Sequence, residues 1–313
     1  MKKIFVAGHK GMVGSSILRK LNTKSNKIFT LDKKKINLLN QAKVLKFFKK
    51  HKFDEVYLCA AKVGGIYANS TFSADFIYEN LQVQNNTIHA AYLSKVKKLM
   101  FLGSSCVYPK KPKIPIKEEY LLTGQLESTN DMYAIAKIAG LQMCRAYNVQ
   151  YKTDFRAVMP TNLYGPNDNY DSYNSHVLAA LIKKIITAKN QKKKFFTVWG
   201  TGVPKREFLH VDDMADATIK IMNLSKKKYQ QISGDKFQFI NVGSGSDISI
   251  KNLAKLISSI VKFKGKMIFD KSKPDGTYRK LMDNTRLKKL KWKPKISLEI
   301  GIKKTIEDFK ATI

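Results

Sequence analysis

Gly8-His9-Lys10-Gly11-Met12-Val13-Gly14 is the stretch that decides the fold, because it joins a short apolar run to a helical pattern. The run before it, 2–7, is typical of a β-strand, and the apolar residues of 13–21 fall on one face of a helix. Glycines at this spacing allow a tight turn and a close approach to a pyrophosphate, toward which the helix directs its free N–H groups. Three glycines alone are weak evidence, but this strand–turn–helix context predicts a dinucleotide-binding turn.

Strand-like runs and helical patterns alternate along the rest of the first half of the chain. We predict strands at 27–31, 55–61, 99–103 and 155–159, and helices at 42–50, 74–93 and 132–149. This alternation predicts an α/β protein of the Rossmann type, with a doubly wound parallel sheet and helices on both of its faces.

The regular alternation stops after Gly165-Pro166. The later part contains predicted loops at 167–174 and 271–279, helices at 177–188, from 249 onward and at the C-terminus, and strands at 195–199, 237–242 and 266–269. We expect 237–242 to be one more strand of the first sheet. The chain is therefore predicted to have two domains: 1–165 plus 207–242 form a dinucleotide-binding Rossmann domain, and 166–206 plus 243–313 form a smaller α/β substrate-binding domain.

Composition excludes some classes of protein and leaves others open. The 313 residues include 43% apolar residues, enough for a sizeable core and too many for a disordered polyelectrolyte. The 58 Lys and Arg against 24 Asp and Glu give a net charge of +34, which favours nucleic acid, an acidic membrane or phosphorylated small molecules as partners. A general lysine bias on an ordinary surface explains the same excess equally well.

Cysteines and apolar runs indicate the compartment. Cys59, Cys106 and Cys144 form no CxxC pair and no cluster at metal-ligand spacing, which favours a reduced cytoplasm and gives no indication of a bound metal. The N-terminal apolar run is too short for a signal peptide, and no run approaches the ~20 residues that cross a bilayer. We expect a soluble cytoplasmic protein.

The residues after the second strand bear on which dinucleotide binds. An acidic residue there normally binds a ribose 2′-OH, whereas basic residues favour a 2′-phosphate. Asp32 is followed by Lys33, Lys34 and Lys35, and Lys10 lies in the glycine turn. The lysines favour NADPH, while Asp32 leaves NADH open.

Tyr133 and Lys137 are one helical turn apart. An adjacent ammonium favours the phenolate, so we predict that Lys137 lowers the pKa of Tyr133, which exchanges a proton with a substrate oxygen while hydride moves at the adjacent carbon. Upstream, 102–106 closes the fourth strand and places two hydroxyls and a thiol at a strand end, where such sheets bind ligands. A lone Tyr–Lys pair is common by chance, but its order after the glycine turn and this strand end favours a reductase site.

Eight segments, in order along the chain, carry a resemblance to a known family. They are 6–14 (VAGHKGMVG), 60–66 (AAKVGGI), 101–109 (FLGSSCVYP), 133–140 (YAIAKIAG), 159–166 (MPTNLYGP), 174–177 (NSHV), 206–213 (REFLHVDD) and 272–280 (SKPDGTYRK). Over nearly its full length the chain resembles the extended short-chain dehydrogenase/reductase family. The segments 60–66 and 101–109 make it similar to those members that both epimerise and reduce GDP-4-keto-6-deoxy-D-mannose.

This resemblance implies a reaction and its catalytic residues. The reaction is conversion of GDP-4-keto-6-deoxy-D-mannose to GDP-L-fucose, by C3/C5 epimerisation followed by NADPH-dependent reduction of the C4 ketone. It assigns Ser104, Tyr133 and Lys137 to the reduction, and Cys106 and His176 to the proton transfers at C3 and C5. A thiol near the positively charged nicotinamide and a histidine that titrates near neutrality suit those transfers.

The resemblance also implies the binding residues. For the cofactor these are Gly8, His9, Lys10, Gly11, Met12, Val13, Gly14, Lys33, Leu102, Gly103, Ser104, Ser105, Lys137, Pro160, Thr161, Asn162, Leu163 and His176. For the substrate, Lys184 and Arg206 neutralise the diphosphate, Trp199 offers an aromatic platform and Asp275 accepts from hydroxyl groups. The family further implies a homodimer formed through helices that include 132–149. The sequence shows no basic helix-turn-helix and no apolar run long enough to cross a bilayer, so we expect no specific nucleic acid and no membrane as partner.

Two alternatives remain open at the level of sequence. An NAD-retaining 4-epimerase, or a 4-reductase without epimerisation, would lack the Cys106/His176 pair. A basic nucleic-acid-binding or regulatory Rossmann protein would bind NADP(H) without turnover, and such proteins often lack the Tyr133/Lys137 pair. Taken alone, Cys106 would be a buried structural cysteine and His176 an ordinary loop histidine, and only their place in the matched segments favours the catalytic interpretation.

Overall fold

A six-stranded parallel sheet forms the centre of the computed structural model, which describes residues 1–171, 175–273 and 275–311. In chain order, the strands of these residues are β1 (Lys2–Ala7), β2 (Asn26–Thr30), β3 (Glu55–Leu58), β4 (Lys98–Leu102), β5 (Phe155–Pro160), β6 (Asn162–Tyr164), β7 (Phe195–Trp199), β8 (Lys205–His210), β9 (Phe239–Val242), β10 (Asp247–Ser249), β11 (Lys266–Asp270) and β12 (Arg279–Lys280). The order across the central sheet is β2-β1-β3-β4-β5-β9. The predicted doubly wound α/β class is confirmed.

Helices cover both faces of this sheet and also build the region beside it. In chain order they are α1 (Met12–Leu21), α2 (Gln41–His51), α3 (Ile66–Thr71), α4 (Ser73–Leu93), α5 (Asp131–Tyr151), α6 (Val177–Asn190), α7 (Val211–Met222), α8 (Lys226–Ser233), α9 (Ile250–Val261), α10 (Thr285–Lys288) and α11 (Leu298–Ala311). Two short 3₁₀ turns lie at Ser105–Val107 and Glu118–Tyr120.

The central strands are apolar on both faces because their side chains alternate between two buried cores. Phe5 of β1 and Phe101 of β4 pack in the core beneath α2, α4 and α5. Ile4 and Met100, one residue before each, pack in the opposite core beneath α1 and α7. A strand buried in this way reads in the sequence as a continuous apolar run, which is why these strands are predictable.

A third apolar core lies beside the central sheet. It joins α6, α9 and α11 to β7 and β8, with Leu181, Phe208, Leu253 and Ile302 among its buried members. Strand β8 pairs with β6, β10 and β12, and β7 pairs in parallel with β11. These strands and helices build the region that follows the predicted break at residue 165.

The segment around α10 returns to the central sheet. Leu287, Leu290 and Trp292 pack in the same core as α1 and α7, although they lie in the part of the chain assigned by sequence to the second domain. The division of the chain into two domains at the predicted boundaries remains a prediction.

Most predicted elements of the central sheet are confirmed, with small shifts at their ends. Strand β3 ends at Leu58, earlier than predicted, because the chain at Ala60 leaves the sheet beside the glycine turn. Strand β8 and helices α7 and α8, by contrast, were absent from the prediction.

The sheet order determines where a ligand can bind. The first two strands in the sequence, β1 and β2, run outward in one direction across the sheet. The next strands, β3, β4 and β5, run outward in the other direction, so the strand order reverses between β1 and β3. In open α/β sheets ligands bind at such a reversal, at the carboxyl ends of the strands.

Parts of two predicted segments lie outside the described residues. These are 172–174 of the predicted loop 167–174, which include Asn174 of the NSHV segment, and Pro274 of the SKPDGTYRK segment. Within the described ranges, no helix is long and apolar enough to cross a membrane, and no group of three His, Cys, Asp or Glu is placed to hold a metal.

Candidate active site

The glycine turn between β1 and α1 requires glycine at two positions. Gly8 has a φ of +80°, and a Cβ on it would lie 2.7 Å from the backbone nitrogen of Ala60. A Cβ on Gly14 would lie 2.1 Å from the carbonyl oxygen of Gly8. The turn therefore packs backbone directly on backbone at Gly8 and Gly14.

The N-terminus of α1 fits the phosphates of a dinucleotide. Gly11 is the N-cap residue of α1, which begins at Met12. Because glycine has no side chain, it cannot accept a hydrogen bond from the first N–H groups of the helix. His9 and Lys10 flank Gly11 in the turn. Unsatisfied N–H groups and the positive end of the helix dipole form an anion-binding site, so the residues present fit a pyrophosphate.

Lys10 and Asp32 form an ion pair at the far end of this turn. Lys10 Nζ lies 2.6 Å from Asp32 Oδ2, and the backbone N–H of Lys34 donates to Asp32 Oδ1 at 3.0 Å. The bond from Lys10, followed by that from Lys34, lowers the pKa of Asp32. Lys33 and Lys35 are exposed beside it. Asp32 is thus engaged by a lysine, and the surrounding charge is positive.

The end of β4 carries the predicted hydroxyl and thiol groups. Leu102 is the last strand residue, and a Cβ on Gly103 would lie 2.9 Å from the sulfur of a neighbouring methionine, so the chain passes close to β5 there. Ser104 then caps the 3₁₀ turn, and its Oγ accepts from the backbone N–H of Cys106 at 3.5 Å. Ser105 and Cys106 are buried in this turn.

Tyr133 and Lys137 project from α5 toward the same strand end. Ser104 lies close enough to Tyr133 to oppose the rise in the pKa of its hydroxyl, and the ring of Phe76 packs edge-on against Tyr133 at a centroid distance of 6.2 Å. Lys137 is buried, and its Nζ donates to the carbonyl oxygen of Leu102 at 2.8 Å. The predicted meeting of Ser104, Tyr133 and Lys137 is therefore present in the structure.

The predicted electrostatic effect of Lys137 on Tyr133 is wrong for the protein without ligands. Burial raises the pKa of Tyr133, and the interaction with Ser104 only partly opposes this. Lys137 donates to Leu102 and lies 5.8 Å from the centroid of the Tyr133 ring, so its charge is directed to a carbonyl. Burial also lowers the pKa of Lys137 to about 8, which reduces the fraction of Lys137 that carries a positive charge near neutral pH.

Cys106 belongs to the same cluster, and His176 lies at the start of α6. Burial raises the pKa of Cys106, and Ser104, Lys280 and Lys137 oppose the rise. His176 caps the N-terminus of α6 without a side-chain capping bond, and no described hydrogen bond joins it to Cys106. Desolvation lowers the pKa of His176, although the residue as a whole is exposed.

The residues after β5 are fixed by β8. Pro160 ends β5, and Thr161 and Asn162 both donate to the carbonyl oxygen of Glu207, at 3.2 and 2.9 Å. Leu163 packs against the core beneath α1 and α7. These contacts hold residues 160–163 at the carboxyl edge of the sheet, where a nicotinamide ring is predicted.

Three of the four predicted substrate-binding residues lie in two small clusters at the ends of β7 and β11. Lys184 Nζ lies 4.7 Å from the ring centroid of Trp199, which is 49% exposed, and Lys273 approaches the same ring at 5.7 Å. Asp275 accepts from the backbone N–H and the hydroxyl of Thr201, at 3.0 and 2.6 Å. Lys273 and Thr201 were absent from the predicted set, and only the three-dimensional pairing of β7 with β11 reveals them.

Arg206, the fourth, lies on β8 beside the loop that carries Asp275. Its Nη1 donates to the carbonyl oxygens of Thr277 and Lys205, at 2.5 and 2.8 Å. Desolvation lowers the pKa of Arg206, and the charges of Asp275 and Glu127 oppose this. An open cavity of about 560 Å³ lies alongside, lined by 275–279 and by segments around residues 111 and 128.

Comparison with known proteins agrees with this site. The model of the NAD dependent epimerase/dehydratase family matches residues 4–237, and the chain belongs to this family. Within it, the chain is 50% identical to the GDP-L-fucose synthase of Escherichia coli (strain K12), over 98% of this chain and 96% of that protein. It is 53% identical to the putative GDP-L-fucose synthase 2 of Arabidopsis thaliana, over 97% and 90% of the two chains.

A solved structure extends the comparison to the whole fold. A GDP-D-glycero-L-gluco-heptose synthase from Campylobacter jejuni, determined in the presence of NADPH, superposes with a TM-score of 0.90. The two sequences are 38% identical, and the match covers 99% of this chain and 98% of that one. The relatives span both parts of the chain, including the region around the third core.

Proposed function

We propose that the protein converts GDP-4-keto-6-deoxy-D-mannose to GDP-L-fucose, by epimerisation at C3 and C5 followed by reduction of the C4 ketone. One observation carries the proposal: Ser104, Cys106, Tyr133 and Lys137 meet at the end of β4 in a chain that is 50% identical to a GDP-L-fucose synthase over nearly its full length.

NADPH is the cofactor, and when bound it supplies the hydride for the C4 carbon. The glycine turn and the N-terminus of α1 bind the pyrophosphate, and Lys10 and Lys33 bind the 2′-phosphate. Lys137 and residues 160–163 hold the nicotinamide ribose and ring. The ion pair between Lys10 and Asp32 supports this assignment, because it removes the free carboxylate that would favour a ribose 2′-OH.

In the reduction, Tyr133 donates the proton. Burial raises the pKa of the Tyr133 hydroxyl, so the group keeps its proton at neutral pH and can deliver it to the C4 oxygen as the ketone becomes an alkoxide. Ser104 hydrogen-bonds the same oxygen and orients the sugar. Lys137 contributes by binding the nicotinamide ribose, and its hydrogen bond to the Leu102 carbonyl oxygen holds it in place. Its direct electrostatic effect on Tyr133 in the protein without ligands is small.

In the epimerisation, Cys106 and His176 move the protons. The C4 ketone acidifies the hydrogens at C3 and C5, and the enolate charge then develops on the oxygen that Ser104 contacts. Cys106, after its thiol has released a proton to solvent, takes up the sugar proton at one face as a thiolate, and His176, once protonated, returns a proton from the other face. The lowered pKa of His176 keeps its ring largely neutral at pH 7, so it can accept a proton from solvent before delivering it.

The GDP moiety binds beside the third core. Arg206 and Lys184 neutralise the diphosphate, Trp199 stacks on the base, and Asp275 accepts from hydroxyl groups. The exposed ring of Trp199 supports this, because an aromatic side chain of that size is otherwise a core residue.

The test incubates the protein with GDP-4-keto-6-deoxy-D-mannose in D₂O, with NADPH or NADH, and identifies the product by NMR. We expect GDP-L-fucose that carries deuterium at C3 and C5, formed faster with NADPH. Reduction without deuterium at these carbons would instead assign a 4-reductase, and cofactor binding without turnover would assign a regulatory Rossmann protein.

We also propose a cytoplasmic homodimer in which α4 and α5 form the interface. Three free cysteines support the reducing location. Tyr78 on α4 and Val149 and Tyr151 on α5 are 60%, 55% and 42% exposed, and the two helices pack side by side. Sedimentation velocity tests the dimer: Val149→Glu is expected to give a monomer, whereas Ile300→Glu, at an equally exposed apolar position on α11, is expected to leave the dimer intact.

A further inference from the structure

Glu207 carries a fully buried carboxylate that the reaction as described does not use. It lies in β8, the strand that pairs with β6, β10 and β12, and its exposed fraction is 0%. The residue before it, Arg206, is one of the proposed ligands of the diphosphate. Burial of a carboxylate is unfavourable unless hydrogen bonds stabilise it, so the groups that bind Glu207 indicate its use.

The two oxygens of this carboxylate bind two different segments of the chain. Oε1 accepts from the backbone N–H of Gly245 at 2.7 Å, and Oε2 accepts from the backbone N–H of Met282 at 2.9 Å. The hydroxyl of Ser244 lies 3.5 Å from Oε1. A Cβ on Gly243 would lie 2.4 Å from Oε1, so the carboxylate packs directly on the backbone there. The Glu207 side chain thus joins the chain just before β10 to the chain just after β12.

The bond to Met282 fixes one end of the segment 275–282, which we call the substrate segment. This segment begins at Asp275, a proposed ligand of the substrate hydroxyl groups. It then passes along β8, where the carbonyl oxygen of Thr277 accepts from Nη1 of Arg206 at 2.5 Å. The carboxylate therefore holds the chain that orients both Asp275 and the Arg206 guanidinium.

The bond to Gly245 stabilises the same segment from the other side of β8. Gly245 lies two residues before Asp247, which is opposite Glu207 in the pairing of β10 with β8. The Asp247 carboxylate binds Nε of Arg279 in the substrate segment at 2.5 Å. Both oxygens of Glu207 thus hold chain that contacts the substrate segment.

The main chain of Glu207 serves the proposed cofactor site instead. Its carbonyl oxygen accepts from the hydroxyl of Thr161 and from the side-chain amide of Asn162, at 3.2 and 2.9 Å. These residues lie where the nicotinamide is proposed to bind. A substitution of the Glu207 side chain leaves this carbonyl group in place, so the two contacts are separable by experiment.

We infer that Glu207 is a positioning residue, whose carboxylate holds the substrate segment against Arg206 and thereby sets the affinity for the GDP part of the substrate. The inference rests on the proposed function for the identity of this ligand. The competing explanation is that the carboxylate only stabilises the fold. In that case its loss would lower stability without selecting one ligand over the other.

Glu207→Gln is the variant of choice, because it keeps the size of the side chain and replaces one acceptor oxygen by an amide group that only donates. One of the two backbone N–H groups then loses its partner. The chain on either side of Met282 still pairs with Ile116 through two backbone hydrogen bonds of 2.8 Å. The substrate segment is therefore expected to loosen without unfolding.

The test combines hydrogen–deuterium exchange, followed by mass spectrometry, with titration calorimetry of GDP and of NADPH, all on the full-length protein. In Glu207→Gln without ligands we expect faster amide exchange in peptides that cover 243–247 and 275–283, and unchanged exchange over 160–164. The dissociation constant of GDP is expected to rise about tenfold, as for the loss of one buried hydrogen bond to a charged group. That of NADPH is expected to stay unchanged.

Asp213→Ala is the matched control. Asp213 is 3% exposed, and its carboxylate accepts from the backbone N–H groups of Lys295 and Ile296, at 3.1 and 2.9 Å. Its loss is expected to lower the melting temperature and to leave the affinity for GDP unchanged. Should Glu207→Gln lose its native circular dichroism, Gly243→Ala takes its place, since the added Cβ displaces the carboxylate without removing it.

An unchanged dissociation constant for GDP in Glu207→Gln would overturn the inference, and so would an equal loss of GDP affinity in Asp213→Ala. A parallel loss of NADPH affinity in Glu207→Gln would also overturn it, because the carboxylate would then act on the whole fold. If the wild type binds no GDP, the proposed function fails, and the exchange data alone decide the positioning role. Faster exchange confined to 243–247 and 275–283 supports that role, and faster exchange throughout the chain overturns it.

Discussion

At the scale of single residues, Tyr133 separates the two halves of the reaction. Tyr133→Phe removes the proton donor of the reduction and leaves Ser104 and Cys106 in place, so NADPH oxidation is expected to fall by roughly 100-fold or more. Deuterium exchange from solvent into the substrate is expected to continue, because it needs only the proton transfers at C3 and C5. NMR of the recovered sugar and absorbance of NADPH measure the two steps on one sample.

The complementary variant is Cys106→Ser, in which a weak hydroxyl acid replaces the thiol. Exchange is expected to drop with this change, whereas reduction of a substrate that is already epimerised is expected to persist. Loss of deuterium exchange in Tyr133→Phe, or unaltered exchange in Cys106→Ser, would contradict the assignment of Tyr133 to the reduction and of Cys106 to the epimerisation.

Asp168 provides a residue-scale test of stability against pH. Its Oδ2 is buried without a described partner, and burial together with the charge of Asp308 raises its pKa to about 7. The folded protein therefore keeps a proton that the unfolded chain releases near pH 4, so the stability contribution is lost as pH rises from about 4 to 7. Asp168→Asn is expected to raise the melting temperature by a few degrees at pH 8 and much less at pH 4.5. Asp235→Asn, at an exposed carboxylate, is the control, and an equal gain at both pH values would contradict the assignment.

At the scale of elements, the glycine turn gives a matched pair of variants. A Cβ on Gly14 would lie 2.1 Å from a backbone oxygen, whereas a Cβ on Gly11 would lie 3.5 Å from the same oxygen, an ordinary contact. Gly14→Ala is therefore expected to lower the melting temperature by several degrees, because β1 and α1 must move apart. Gly11→Ala is expected to change the melting temperature little. Similar melting temperatures for the two variants, followed by circular dichroism, would show that the close packing is not needed.

Elements that form from local patterns were predictable, and elements that depend on distant partners were not. Strand β8 contains Lys205, Arg206 and Glu207, and reads as a polar segment. It is a buried strand because the Glu207 carboxylate accepts backbone N–H groups from Gly245 and Met282, which are 38 and 75 residues away. No periodicity in the sequence near residue 207 predicts these hydrogen-bond partners.

In the candidate active site, too, contacts with residues distant in the sequence could not be predicted. The order of the motifs predicted that Ser104 and Tyr133 meet, and they do. The helical spacing also suggested that Lys137 acts on Tyr133, but its ammonium group is taken by a carbonyl 35 residues away. Lys280 was part of a matched segment, and only the pairing of β12 with β8 places it opposite Arg206. The spacing of residues predicts which of them share a helix face, but it does not predict which group a long side chain will hydrogen-bond.

At the scale of the whole molecule, the net charge of +34 now has a narrower interpretation. The lysines with proposed ligand-binding roles (Lys10, Lys33, Lys137 and Lys184) lie at the two ligand sites, and most of the others are exposed on helix faces and loops. Such a distribution raises the concentration of small anions near the surface without forming a stripe for a nucleic acid. The charge is therefore expected to assist binding of NADPH and of the GDP-sugar.

This expectation is testable by salt, with the two cofactors as matched ligands. Screening weakens exposed charge interactions, so the dissociation constant of NADPH, measured by its fluorescence, is expected to rise several-fold between about 50 and 500 mM NaCl. NADH lacks the 2′-phosphate and is expected to show a smaller rise, because Lys10 and Lys33 have no partner on it. Lys10→Gln is expected to reduce the difference between the two salt slopes, whereas Lys24→Gln, at an exposed position away from the glycine turn, is expected to keep it. Equal slopes for NADPH and NADH in the wild type would mean that the lysines act only through net charge, and that the site does not distinguish the two cofactors by its electrostatics.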